Sequence, residues 1–192
     1  MGLFLLNRKC LLLIVLTFSL VACSDNYNEE FITSASTLNK SKALAQQLEN
    51  LNLVTLSYLK EEIFIVNNII INDKKKTYGI APEGGFYESY YIQSEKNAYE
   101  NWDTITNNFI PSTIVKREDV LELLSAMKAI GITDIYHNRT NEIFTLQWGS
   151  SVMNGYQGLI FGDKSRLGDE YKASRFDDFK EVNKDTFYFA VR

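Results

Sequence analysis

"GITDIYHNRTNEIFTLQW", residues 131–148, decides the fold. From Ile132 the period is read as two, most clearly over 144–148. Phe144, Leu146 and Trp148 alternate with Thr145 and Gln147, the pattern of a strand with one buried face. Asn138-Arg139-Thr140-Asn141 interrupts the alternation with turn-forming residues, so the stretch reads as a hairpin joining 132–137 to 142–149. Downstream the same rhythm returns. Tyr156 to Phe161 makes another strand, and Phe187, Phe189 and Val191 belong to a last one. Asn183-Lys184-Asp185 turns the chain between 178–182 and 186–191. Strands joined by short turns imply an antiparallel meander.

Upstream of Gly131 the period is that of a helix. Val120, Leu121, Leu124, Met127 and Ile130 share one face. Ser112 or Thr113 could open the element, and Gly131 stands where a left-handed C-terminal cap belongs. A second helix is expected from Ser94, with Tyr99, Trp102, Ile105 and Phe109 on its apolar face and Pro111 at its end. Leu38, Leu44, Leu48 and Leu51 predict a helix over about residues 37–51. Leu53, Leu56, Leu59, Ile63 and Val66 extend the three-and-four spacing, as a second helix or a continuation. Ile69-Ile70-Ile71 reads equally as a helix end or a strand. The expected class is therefore α+β, a helical N-terminal half packed on one face of a C-terminal antiparallel β-meander.

The first 22 residues read differently. Arg8 and Lys9 precede an apolar core from Cys10 to Val21, shorter than the roughly 18–20 residues that a bilayer span requires. Leu20-Val21-Ala22-Cys23 resembles the lipobox of bacterial secreted lipoproteins. The resemblance implies that the leader 1–22 is removed, that the sulfur of Cys23 is diacylated, and that the new N-terminus is often acylated too, palmitate being a usual chain. Several acyl chains, at about 0.8 kcal/mol per buried methylene, hold a protein on a membrane durably. The acidic, Asn-rich tract Ser24–Glu30 is similar to the one behind the lipidated cysteine in Bacteroidota surface lipoproteins. It reads equally as a solvated tether. Residues 23–36 are expected to be a flexible lipidated tether and 37–192 a single globular domain. The implied location is the bacterial cell envelope, the outer membrane favoured, with the face undecided.

Composition narrows the function classes. The formal charge of −4 includes Arg8 and Lys9, so the chain beyond the leader is near −6. That argues against a nucleic-acid partner and against electrostatic attachment to anionic lipid. Cys10 and Cys23 are the only cysteines, so the globular part has no disulfide, thiolate metal site or cysteine nucleophile. No cofactor or metal is expected. His137, the single histidine, could act as a base with Asp134 and Ser150 or Ser151, but the serines lack the Gly-x-Ser-x-Gly elbow. "GDKSRLGDE", residues 162–170, offers oxygens but fails the calcium-loop pattern at Leu167 and Ser174, and is read as a solvated loop. Asp103-Thr104-Ile105 resembles the short O-glycosylation sequon of Bacteroidota envelopes.

The Gly- and Tyr-rich stretch from Gly84 to Trp102 carries the candidate binding residues Tyr87, Tyr90, Tyr91 and Trp102. Aromatic faces stack on sugars and on partner side chains, although these rings could equally cover the core. The leading expectation is a membrane-anchored, non-catalytic lipoprotein that binds an envelope protein or a saccharide. An immunity-type protein or inhibitor that neutralises a toxin or enzyme is the alternative from another class. A hydrolase of envelope polymers is the third.

Overall fold

The computed structural model describes residues 28–60, 63–67, 69–72, 77–80, 116–149 and 155–192. Cys23, the acidic tract up to Tyr27, the helix expected from Ser94 to Pro111, the sequon, Tyr87, Tyr90, Tyr91, Trp102 and both candidate serines lie outside these residues. Among the described residues no helix is long and apolar enough to cross a membrane.

The class is α+β. Helices α1 (Glu29–Thr33) and α2 (Ala35–Asn50) lead into strands β1 (Thr55–Lys60), β2 (Ile63–Val66), β3 (Ile69–Asn72) and β4 (Thr77–Ile80). Helix α3 (Arg117–Ala129) follows. It precedes β5 (Ile132–Asn138), β6 (Ile143–Trp148), β7 (Tyr156–Phe161), β8 (Asp178–Asn183) and β9 (Thr186–Val191). Among the described residues the strands form one nine-stranded sheet in the order β4-β3-β2-β1-β5-β6-β7-β9-β8, every pair antiparallel.

The N-terminal half is thus only partly helical. Leu53 to Val66, expected as helix, runs as the approach to β1 and the β1–β2 hairpin. Leu53, Leu56 and Val66 are buried, so their apolar character was read correctly and their period was not. Two effects decide for strand. Asn52 takes a left-handed φ of 54°, which stops α2 one residue after its C-cap Leu51. Ile63-Phe64-Ile65-Val66 is β-branched and aromatic, a composition that loses rotamer freedom in a helix. Asn67, at φ 44°, follows β2 at the open end of this hairpin, and its Oδ1 accepts from the backbone N–H of Val54 (2.7 Å) and Thr55 (3.1 Å). Ile69–Asn72, which read both ways, is strand β3.

Order also begins earlier than the expected tether allows. Asn28 caps α1 by accepting from Phe31 N–H at 2.9 Å, and Ser34 caps α2 through Thr37 N–H at 3.3 Å. Ile32 is fully buried, so residues 29–36 belong to the packed domain.

The register assigns the faces. Leu56, Ile135, Leu146, Leu159 and Tyr188 lie in one row across five strands, and on that face pack Ile32, Leu44 and Leu48 with Val120, Leu123 and Met127 of the helices. The helices therefore cover one face, as expected. Trp148 belongs to this core and donates its indole N–H to the carbonyl of Ile130, the C-cap of α3, at 2.7 Å. Gly131 then adopts φ 77°, the cap conformation expected of it.

The other face holds a second core that the alternation did not announce. Ile143, Ile160, Phe187 and Phe189 are covered by the segment 163–176, which folds as three short 3₁₀ turns and lays Leu167, Tyr171 and Phe176 across the sheet. Nor is the last part a simple meander. After the 3₁₀ segment β8 forms the sheet edge, and β9 returns between β8 and β7.

Candidate functional site

Three turns meet at one end of the sheet beneath α2. The β5–β6 turn is held by Asn138 Oδ1, which accepts from Asn141 N–H at 3.3 Å, and ends on Glu142 at φ 54°. At the end of β7, Gly162 donates its N–H to Asp185 O at 3.0 Å, which joins that end to the β8–β9 turn. Asp163 caps the first 3₁₀ turn by accepting from Ser165 N–H (2.8 Å) and Oγ–H (2.7 Å), and these bonds hold its carboxyl below the usual carboxylate range.

Between these turns and α2 lies an open cleft of about 800 Å³. Its floor is apolar: Ala45 from α2, Phe144 from β6 and Phe161 from β7. Its rim is charged and balanced. Lys42 bonds Asp185 at 3.2 Å, Lys164 bonds Glu181 at 2.7 Å, and Arg166 bonds Glu142. Lys42 also stands 5.6 Å from the centroid of the Phe161 ring. Asp185 is held below its ordinary pKa chiefly by the hydrogen bond from Lys42. These pairs are largely exposed, so each stabilises the fold by no more than about 1 kcal/mol. Lys184 completes the rim and forms no ion pair among the described residues.

His137 lies behind this floor. It is buried, stacks on Phe144 with ring centroids 3.9 Å apart, and neither ring nitrogen has a hydrogen-bond partner. Burial lowers its pKa, the nearby charges being Glu49 on α2 with Arg139 and Glu142 on the turn. Asp134 is on the opposite face of β5, across from Ser57, because residues three apart on a strand point oppositely. It is half-buried and bonded by Ser57 and Thr133, and desolvation raises its pKa against those bonds. The His137–Asp134 pairing that a serine-type base would require, disfavoured from the sequence, is not made. Among the described residues no group of three or more His, Cys, Asp or Glu side chains could hold a metal ion.

His137 and Asp134 pull stability in opposite directions with pH. The folded pKa of His137 lies below its ordinary 6.5, so below that pH the unfolded chain takes up the proton first and stability falls toward the folded pKa. The folded pKa of Asp134 lies above its ordinary 3.8, so its contribution is full below that pH and is lost as pH rises through the folded value. In urea titrations from pH 5 to pH 8, His137→Phe is expected to flatten the fall in stability below about pH 6.5. Asp134→Asn is expected to stabilise at pH 7. A His137→Phe curve parallel to the parent's would refute the first assignment.

Of the cleft residues, Asp163, Lys164 and Arg166 fall in the 162–170 stretch whose oxygens invited a calcium reading. Alternation placed Phe144 and Phe161 on strands but did not mark them as a floor. No sequence signal joined Lys42 to Asp185, because they are 143 residues apart. No protein-family model, curated protein or solved structure matches this chain.

Proposed function

We propose that this chain is an envelope lipoprotein anchored through Cys23, and that its cleft binds a partner without chemistry. Supporting the anchor are the basic n-region, the short apolar core and Leu20-Val21-Ala22-Cys23. The observation that carries the binding role is the cleft itself, an apolar floor of Phe144 and Phe161 inside a rim of paired charges. Balanced charge disfavours a strongly ionic ligand. Aromatic carbon beside carboxylates and ammonium groups suits a saccharide, whose C–H face packs on rings while its hydroxyls bond the rim. A polar peptide loop of an envelope protein offers the same chemistry.

The test uses chain purified from membranes, in glycan arrays and in pull-downs from envelope extracts. A saccharide or envelope protein is expected to be retained. The double substitution Arg166→Glu with Lys184→Glu is expected to weaken that binding by about tenfold or more, equivalent to about 1.4 kcal/mol. Absence of any ligand, together with turnover of an envelope polymer, would replace this reading with the hydrolase one.

A further inference from the structure

We infer that the domain is held with its α1–β8 edge against the surface of the leaflet that carries its lipid, an orientation that rests on the anchoring reading of Cys23. The argument is one of chain length. Asn28 caps α1, and only residues 24–27 separate it from Cys23. Five residue steps of fully extended chain span at most about 18 Å. The end of that reach is not free to swing. Ile32 is fully buried in the helix-side core, and Glu29 Oε2 bonds Lys180 Nζ of β8 at 2.7 Å, with Asp178 on the same ammonium at 2.9 Å. The start of α1 is thus clamped to the sheet edge, and that edge must follow the anchor to the bilayer.

Two further features agree. Phe31 on α1 is 40% exposed, one of two large hydrophobic side chains exposed among the described residues, and it is eight residues from the anchor. Among the described residues strand β8 is outermost, and an outer strand's backbone groups would template pairing with other chains. A leaflet alongside shields it. The local charge, with Glu29, Glu30, Asp177 and Asp178 against Lys180 and Arg192, is slightly acidic, so the surface it fits is zwitterionic and the acyl chains supply the attraction. The Lys184–Asp185 turn of the cleft lies about 15 Å along β8 from Lys180, which keeps the cleft within reach of ligands borne by the same membrane.

The folded part has no cysteine, so single labels are straightforward. Full chain with its leader is made in a lipoprotein-processing bacterium and reconstituted into phosphatidylcholine vesicles that contain nitroxide-headgroup lipid. Fluorophores are placed at Glu30→Cys or Asn50→Cys, the latter at the far end of α2, about 22 Å from its start. The label at position 30 is expected to be quenched several-fold more than the label at 50. A flexible Gly/Ser spacer of about 20 residues inserted before Asn28 is expected to erase the difference. Equal quenching on a lipidated, spacer-free chain would overturn the orientation while leaving the anchor intact. Mass spectrometry showing Cys23 unmodified would instead overturn the anchor, and the orientation with it.

Discussion

A Gly158→Val chain is expected to be insoluble on expression and, after refolding, to show no cooperative thermal transition. Gly158 lies in β7 between β6 and β9, opposite Gln147 on one side and Phe189 on the other. A Cβ there would fall 2.3 Å from the carbonyl oxygen of Leu146 and 2.4 Å from Cζ of Phe189. The ring could turn away only by leaving Phe176, 5.0 Å off, and Tyr156, 6.0 Å off, in the second core. The carbonyl belongs to the ladder and cannot move without breaking it. Overpacking usually costs about 1–3 kcal/mol when side chains can yield. Here the backbone must yield, and a loss above about 4 kcal/mol takes most of the stability of a domain at the low end of the usual 5–15 kcal/mol. Adding Phe189→Leu relieves the ring contact alone, so it is expected to rescue only in part. A Gly158→Val protein melting within a few degrees of its parent would refute this account.

Trp148→Ala is expected to destabilise by about 3–5 kcal/mol, the range for deleting a large buried aromatic. Trp148 is 1% exposed, lies opposite Ile132, and packs among residues of α3 and the sheet. Its loss opens a cavity and also strips the Ile130 carbonyl of its indole donor, at a helix end where carbonyls lack intrahelical partners. Trp148→Phe separates the two effects. It keeps much of the apolar volume and is expected to lose about 1–3 kcal/mol, mainly through the orphaned carbonyl. Chemical denaturation of the parent and both variants measures the difference. A Trp148→Phe protein as stable as its parent would show that the hydrogen bond contributes nothing.

Both sites lie where the chain was most readable. The alternation over 143–148 identified β6 and its buried row of Leu146 and Trp148, since one buried face at period two leaves a clear local signature. The face of α3 was legible through Val120, Leu124 and Met127 for the same reason. Leu53 to Val66 was misread because short apolar runs fit either period, and the Asn52 reversal, the β-branched composition of 63–66 and the pairing with β5 together decide between them. The 163–176 segment shows no period, because its apolar residues are dictated by the sheet face it covers.

Local sequence by itself determined the α+β class, the elements with a strong period, and the expectation of a lipid anchor at Cys23, since each is written within a few neighbouring residues. Only the tertiary structure decided that β9 inserts between β7 and β8, that His137 and Asp134 face apart, and that Lys42 meets Asp185 over Phe161. The physical reason is range. Periodicity records which side of an element avoids water, whereas strand order and the meeting of distant turns depend on packing between segments that no local pattern connects.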